Sequence, residues 1–132
     1  MTVNRYLIAA ILTAATVAAA MPVVGQDAEA IAKGRELAFD RNRGNCLSCH
    51  AIAGGEMPGN IAPPLIQMKL RFPARAKLRA QIWDATTINP NTIMPSYYQS
   101  DGFHRTMKKF AGKTILTAQE VEDIIAYLST LK

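Results

Sequence analysis

The chain has 132 residues, a formal net charge of +5, 49% hydrophobic residues and only two cysteines. That length is one small domain, and the apolar share is too high for a disordered chain. Two cysteines exclude a multiply cross-linked mini-protein, and a single long apolar stretch excludes a multi-span membrane protein.

That stretch comes first. Met1 to Arg5 is a short polar start with one positive charge, and Tyr6 to Ala20 is apolar apart from Thr13 and Thr16. This is the pattern of a secretory signal peptide. Small residues allow cleavage after Ala20 or after Gly25, and the second is preferred because Gln26-Asp27 opens a polar helix start. The expected division is a signal peptide over 1–25 and a mature domain over 26–132, placed in the periplasm or outside the cell. The rival reading, a retained membrane anchor, suffers because the apolar run falls short of the roughly 20 residues needed to span a bilayer.

Residues 27–39 predict a helix with Asp27 at its N-cap and Glu29 near its positive end. Ile31, Gly34, Leu37 and Ala38 share one face, and a glycine there suits a close helix–helix crossing. Residues 51–64 hold Gly54-Gly55, Pro58-Gly59-Asn60 and Pro63-Pro64 and read as loop. Ala74 to Asp84 reads as a second helix, with Leu78 and Ile82 on one side, and Ala85 to Pro95 as another loop. Ser96 to Lys113 has no clear pattern beyond a short helix around Arg105 to Ala111. Thr117-Ala-Gln-Glu120 is a capping box, and Val121, Ile124, Ile125, Leu128 and Leu131 continue with helical spacing to the C-terminus. With no alternating strand pattern, the fold class is all-α, three to five helices with long loops. Loops of this length in so small a domain need a large apolar body to pack on.

Cys46-Leu47-Ser48-Cys49-His50 supplies that body, because Cys-x-x-Cys-His is a haem c attachment pattern. Two thiols at this spacing reach the two vinyl groups of one haem, and the adjacent histidine is held at the iron. Three other readings compete. A thioredoxin-type pair would need a βαβ pattern, which is missing. A zinc site would need a second cysteine pair. A plain disulfide would leave His50 without a role. For the second iron ligand the sequence offers Met57, Met68, Met94, Met107 and His104. Met94 is preferred, since a long loop precedes it and Pro95 stiffens the backbone behind it. Ligation by His50 and Met94 would raise the reduction potential, because a thioether favours Fe(II). With both axial sites closed, only outer-sphere electron transfer remains; an open site would point to ligand binding or peroxidase-like chemistry.

His50 should donate its other ring N–H to a backbone carbonyl, and Ile61 to Leu65 is the segment placed to accept it. Trp83 reads as core, or as an indole donor to a haem propionate, and the two are compatible. Lys69, Arg71, Arg75, Lys77 and Arg79 form a basic run with no acid among them. It reads either as a solvated helix face or as a docking surface for an acidic partner or anion.

With Cys46 to His50, Pro63-Pro64-Leu65 and Met94-Pro95 in order between two terminal helices, the chain resembles the class I cytochromes c. The resemblance implies an all-α fold in which the first and last helices cross, with Gly34 at the crossing and Pro63 as the carbonyl partner of His50. The family usually has Gly-Pro where this chain has Ala62-Pro63. Within the class, residues 44–56, 58–61, 63–65, 77–84, 89–98 and 115–124 resemble the SoxX cytochromes, the monohaem subunits of SoxAX complexes in periplasmic thiosulfate oxidation. That resemblance implies a SoxA partner carrying the catalytic haem, a SoxYZ carrier protein whose cysteine receives thiosulfate, and a small soluble cytochrome c as electron acceptor. It implies an L-cysteine S-thiosulfotransferase complex in which this chain has no catalytic residue of its own. The alternative is a free periplasmic carrier serving a terminal oxidase.

Overall fold

The computed structural model describes residues 24–103 and 106–132. Residues 1–23, most of the expected signal peptide, lie outside them, as does His104 among the candidate ligands. The described residues form four α-helices: α1 (Val24–Phe39), α2 (Met68–Arg71), α3 (Arg75–Trp83) and α4 (Ala118–Leu128). Single 3₁₀ turns sit at Cys46–Ser48, Ala85–Thr87 and Lys108–Phe110. No strand occurs among the described residues.

α1 starts three residues earlier than Asp27, which therefore lies within the first turn rather than capping it. Its carboxylate still sits near the positive end of the helix dipole. α3 is one residue shorter at each end than the expected 74–84 helix, with Ala74 and Asp84 as its flanking cap residues. α4 carries the expected capping box: Thr117 Oγ1 accepts from the Glu120 N–H at 3.2 Å, and the Thr117 N–H donates to Glu120 Oε2 at 2.7 Å. It ends at Leu128, short of the C-terminus. There the Ser129 and Thr130 hydroxyls donate to the carbonyls of Ile125 and Tyr127, satisfying the last turn locally.

The core lies where α1 crosses α4. Leu37 and Ala38 from α1 meet Val121, Ile124, Ile125 and Leu128 from α4, all buried. Gly34 is the crossing point: a Cβ there would overlap the Asp123 carbonyl and stand 2.9 Å from the Ile124 nitrogen. The two backbones touch only because no side chain intervenes. Phe39 extends the contact toward Tyr127, ring centroids 6.3 Å apart.

Charged pairs lace the loop after α1 and the helix α3 to α4. Arg43 pairs with Glu120, and Arg75 and Arg79 both pair with Glu122, Arg75 Nη2 lying 2.9 Å from its Oε2. Two of the five residues of the basic run are thus engaged with α4. A third, Arg71, donates to the Pro64 carbonyl at 2.8 Å. The run is therefore partly internal bracing.

The Arg79 and Arg75 guanidiniums, acting against partial burial, hold the Glu122 carboxyl below its ordinary 4.5. A depressed folded-state value means that the stabilisation is complete above about pH 4.5 and fades as pH falls through the depressed value. Glu122→Gln should accordingly flatten the acid limb of a plot of melting temperature against pH, while lowering stability near neutrality by no more than about 1 kcal/mol. An acid limb identical to wild type would show that the bridge contributes nothing.

Candidate functional site

A cleft of about 770 Å³ opens between the 41–50 segment, the 61–72 segment, α3, the 92–97 segment and α4. Its size lies in the range of small-molecule and cofactor sites. Leu65, Leu78, Ile82, Ile124 and Leu128 give it apolar walls. Cys46, Cys49, His50, Pro63 and Met94 all line it, so the structure brings together five of the six residues singled out from the sequence.

The Cys46–Ser48 turn is set by local hydrogen bonds, with the Cys49 and His50 N–H groups both donating to the Cys46 carbonyl. A second strip of chain runs along it. Gly59 N–H donates to Leu47 O at 2.8 Å, Ala62 N–H to Cys49 O at 3.1 Å, and Leu65 N–H to Ala51 O at 2.9 Å. Gly59 is required at this approach, since a Cβ would run into the Ser48 carbonyl. This ladder delivers the Pro63 carbonyl to His50, whose Nδ1 lies 2.6 Å away. A carbonyl can only accept, so Nδ1 carries the proton and Nε2 keeps its lone pair for a metal. Ala62 in place of the more usual glycine does not disturb the turn. Arg71, through Pro64 O, braces the same loop from outside.

Both thiols are free. Burial pushes Cys46 up to about 11. A thioredoxin-type nucleophile needs a lowered thiol pKa, so this environment argues against a redox dithiol. No cluster of three or more His, Cys, Asp or Glu occurs among the described residues, which argues against a zinc site there.

The candidate methionines are sorted by position. Met57 is 86% exposed and does not line the cleft. Met68 lines it but is 2% exposed, packed in the core with Arg71 Nη1 3.7 Å from its sulfur. Met107 lies on the rim, 62% exposed. Met94 is half-buried in the lining, and Gln81 Nε2 is 3.5 Å from its sulfur. Its backbone N–H donates to Thr92 Oγ1 at 3.1 Å.

Trp83 is the one of the six that the structure does not place at the cleft. It is not part of the cleft lining; its ring packs on Tyr98 with centroids 3.6 Å apart, and it rests against the core. The residue sits one position beyond the Leu78, Gln81, Ile82 face that lines the cleft, so the helix turns it away. The core reading is the one the structure displays.

Three contributors are not apparent from the sequence. Gln81 shares the face of Leu78 and Ile82, so helical spacing alone could have placed it in the cleft. The Tyr97 hydroxyl donates to the Gly44 carbonyl at 2.5 Å, and burial holds the phenol protonated well above its ordinary range. Asp84 closes the loop that carries Met94; only the Asp84–Thr86 spacing, a local turn signal, hints at it.

The residues present suit a covalently held haem: a large apolar cleft, two free thiols at its edge, a histidine with one ring nitrogen locked, and a soft sulfur donor in the same lining. Residues 31–132 match the sequence profile of the family described as Cytochrome c. A search of curated proteins finds no match. Among solved structures, a chain of the crystal structure of SoxXA from P. pantotrophus is similar at 38% identity, with a TM-score of 0.70, over 77% of this chain and 81% of that one.

Proposed function

The chain belongs to the cytochrome c family, and on that premise we propose that it is the monohaem electron-accepting subunit of a SoxAX-type complex. The observation that carries this reading is the 38% identity to a SoxXA chain over most of both chains. The cleft chemistry supports it. Bound there, a haem supplies a one-electron Fe(III)/Fe(II) couple. Cys46 and Cys49 would hold it covalently, and His50, oriented by the Pro63 carbonyl, would ligate the iron through Nε2. Met94 would supply the second ligand, its sulfur approached by Gln81 Nε2 at 3.5 Å. Both thiols are spent, so the chain has no nucleophile for sulfur chemistry.

In this role, a SoxA-like partner joins thiosulfate to the cysteine of a SoxYZ-like carrier. The carrier's S–H bond is lost with release of its proton, one S–S bond forms and two electrons leave. This chain takes them one at a time and passes them to a small soluble cytochrome c. The setting is the periplasm, reached through the N-terminal signal segment. No helix among the described residues is long and apolar enough to cross a membrane.

Purification of the native protein from periplasm tests the assignment. A stable complex with a larger haem protein, whose haem here is reduced on addition of thiosulfate and the carrier, is expected. A monomer that stays oxidised under those conditions but exchanges electrons freely with a terminal oxidase would favour the free-carrier alternative.

A further inference from the structure

Met94 sits near the end of a loop whose two ends are tied by one carboxylate. Asp84, 8% exposed, directs a single oxygen at three donors: Ser96 Oγ at 2.5 Å, Thr86 Oγ1 at 2.6 Å and the Thr86 N–H at 3.0 Å. The Ser96 bond spans twelve positions. Beyond it, the Tyr97 and Tyr98 N–H groups donate to the Ile82 and Trp83 carbonyls at 3.3 and 3.1 Å, completing a neck. Within the loop, residues 86–91 are exposed, and two short side-chain turns, at Asn89–Asn91 and Thr92–Met94, shape the descent. From Ser96 to Met94 the chain has only Pro95, whose ring fixes φ. The stiff path to the methionine therefore starts at the clasp.

A largely buried carboxylate is retained only where its charge is met by donors. Here all three donors belong to the Met94 loop or its base. We propose that Asp84, through Ser96, is a positioning residue that holds Met94 on the iron against competing ligands. The inference rests on the reading of Met94 as the second iron ligand. A thioether is a weak donor, so its occupancy depends on how little the loop must reorganise to place it.

The test uses the haem-loaded protein and two readouts: the red ferric absorption band of the sulfur–iron bond, and the imidazole concentration that half-displaces it. Ser96→Ala should lower that concentration about ten-fold, the worth of one hydrogen bond to a charged group. Ser96→Thr, which keeps the hydroxyl, should restore it. Asp84→Asn, retaining an acceptor without the charge, should fall between. An imidazole concentration unchanged in Ser96→Ala overturns the proposal, as does an equal fall in Ser96→Ala and Ser96→Thr, which would mark a packing effect. Met94→Ala is the control for the underlying reading. If it keeps the band, the ligand assignment fails; if it loses the band while Ser96→Ala behaves as wild type, only the clasp fails.

Discussion

Gly34→Val should lower the melting temperature by roughly 15 °C or more and broaden the transition. The reason is geometric. Any β-carbon at this position overlaps the Asp123 backbone carbonyl, and backbone cannot rotate out of the way as a side-chain tip can. Overpacking a close contact costs about 3 kcal/mol, against a total stability of roughly 5–15 kcal/mol. In a domain of this size each kcal/mol is worth about 4–8 °C. Valine also adds two γ-carbons, so relief would require α1 and α4 to separate and open the core they share. Ala32→Val is the control, because Ala32 is exposed on the same helix and the change there costs only the propensity difference, less than about 1 kcal/mol. Thermal unfolding followed by circular dichroism on both variants decides it. Equal melting temperatures would show that the crossing tolerates a side chain.

Met94→Ala should abolish the red ferric band, convert the iron away from low spin, and let carbon monoxide bind the ferrous form without displacing a protein ligand. The potential should fall by on the order of 0.1 V, inside the roughly 0.8 V that axial ligands command, because the donor favouring Fe(II) is gone. The cleft itself should survive, since Met94 is one lining residue among many and Leu65, Leu78, Ile82 and α4 keep the other apolar walls in place. Met68→Ala should behave in the opposite way. Its side chain is core, so stability falls by about 2–5 kcal/mol while the spectrum is unchanged. A red band that persists in Met94→Ala would hand the ligand role to Met68, Met107 or His104.

Legibility follows the range of the interactions. The terminal helices are readable because their cues are local: a 3.6-residue apolar period and a capping box within four residues. Their crossing is readable because glycine on the apolar face of a helix costs stability unless a second backbone passes close by. Cys46 to His50 is readable because the chemistry fixes the spacing. What escapes detection depends on residues far apart in the chain. The single turn of α2 contains too few residues to show a period. Arg75 and Arg79 look like a free basic face until α4 places Glu122, 47 and 43 positions later, against them. Trp83 reads equally as core or as a polar donor, and its neighbour Tyr98 lies across a loop closed by hydrogen bonds that no local pattern announces. The Asp84–Ser96 tie has the same character. Side-chain networks of this kind join positions whose separation is set by the fold itself, so they become visible only after it.

The crossing at Gly34 has a consequence for the order of assembly. Gly34 and Ile124 lie 90 positions apart, so the two helices can meet only when the C-terminal segment has been delivered. A chain emerging N-terminus first exposes Cys46 and Cys49 well before that. In the closed fold the Cys46 thiol is pushed up to about 11 and is a poor nucleophile. Joining a haem to these thiols would therefore be easier before the ends of the polypeptide meet than after the fold has closed over Cys46.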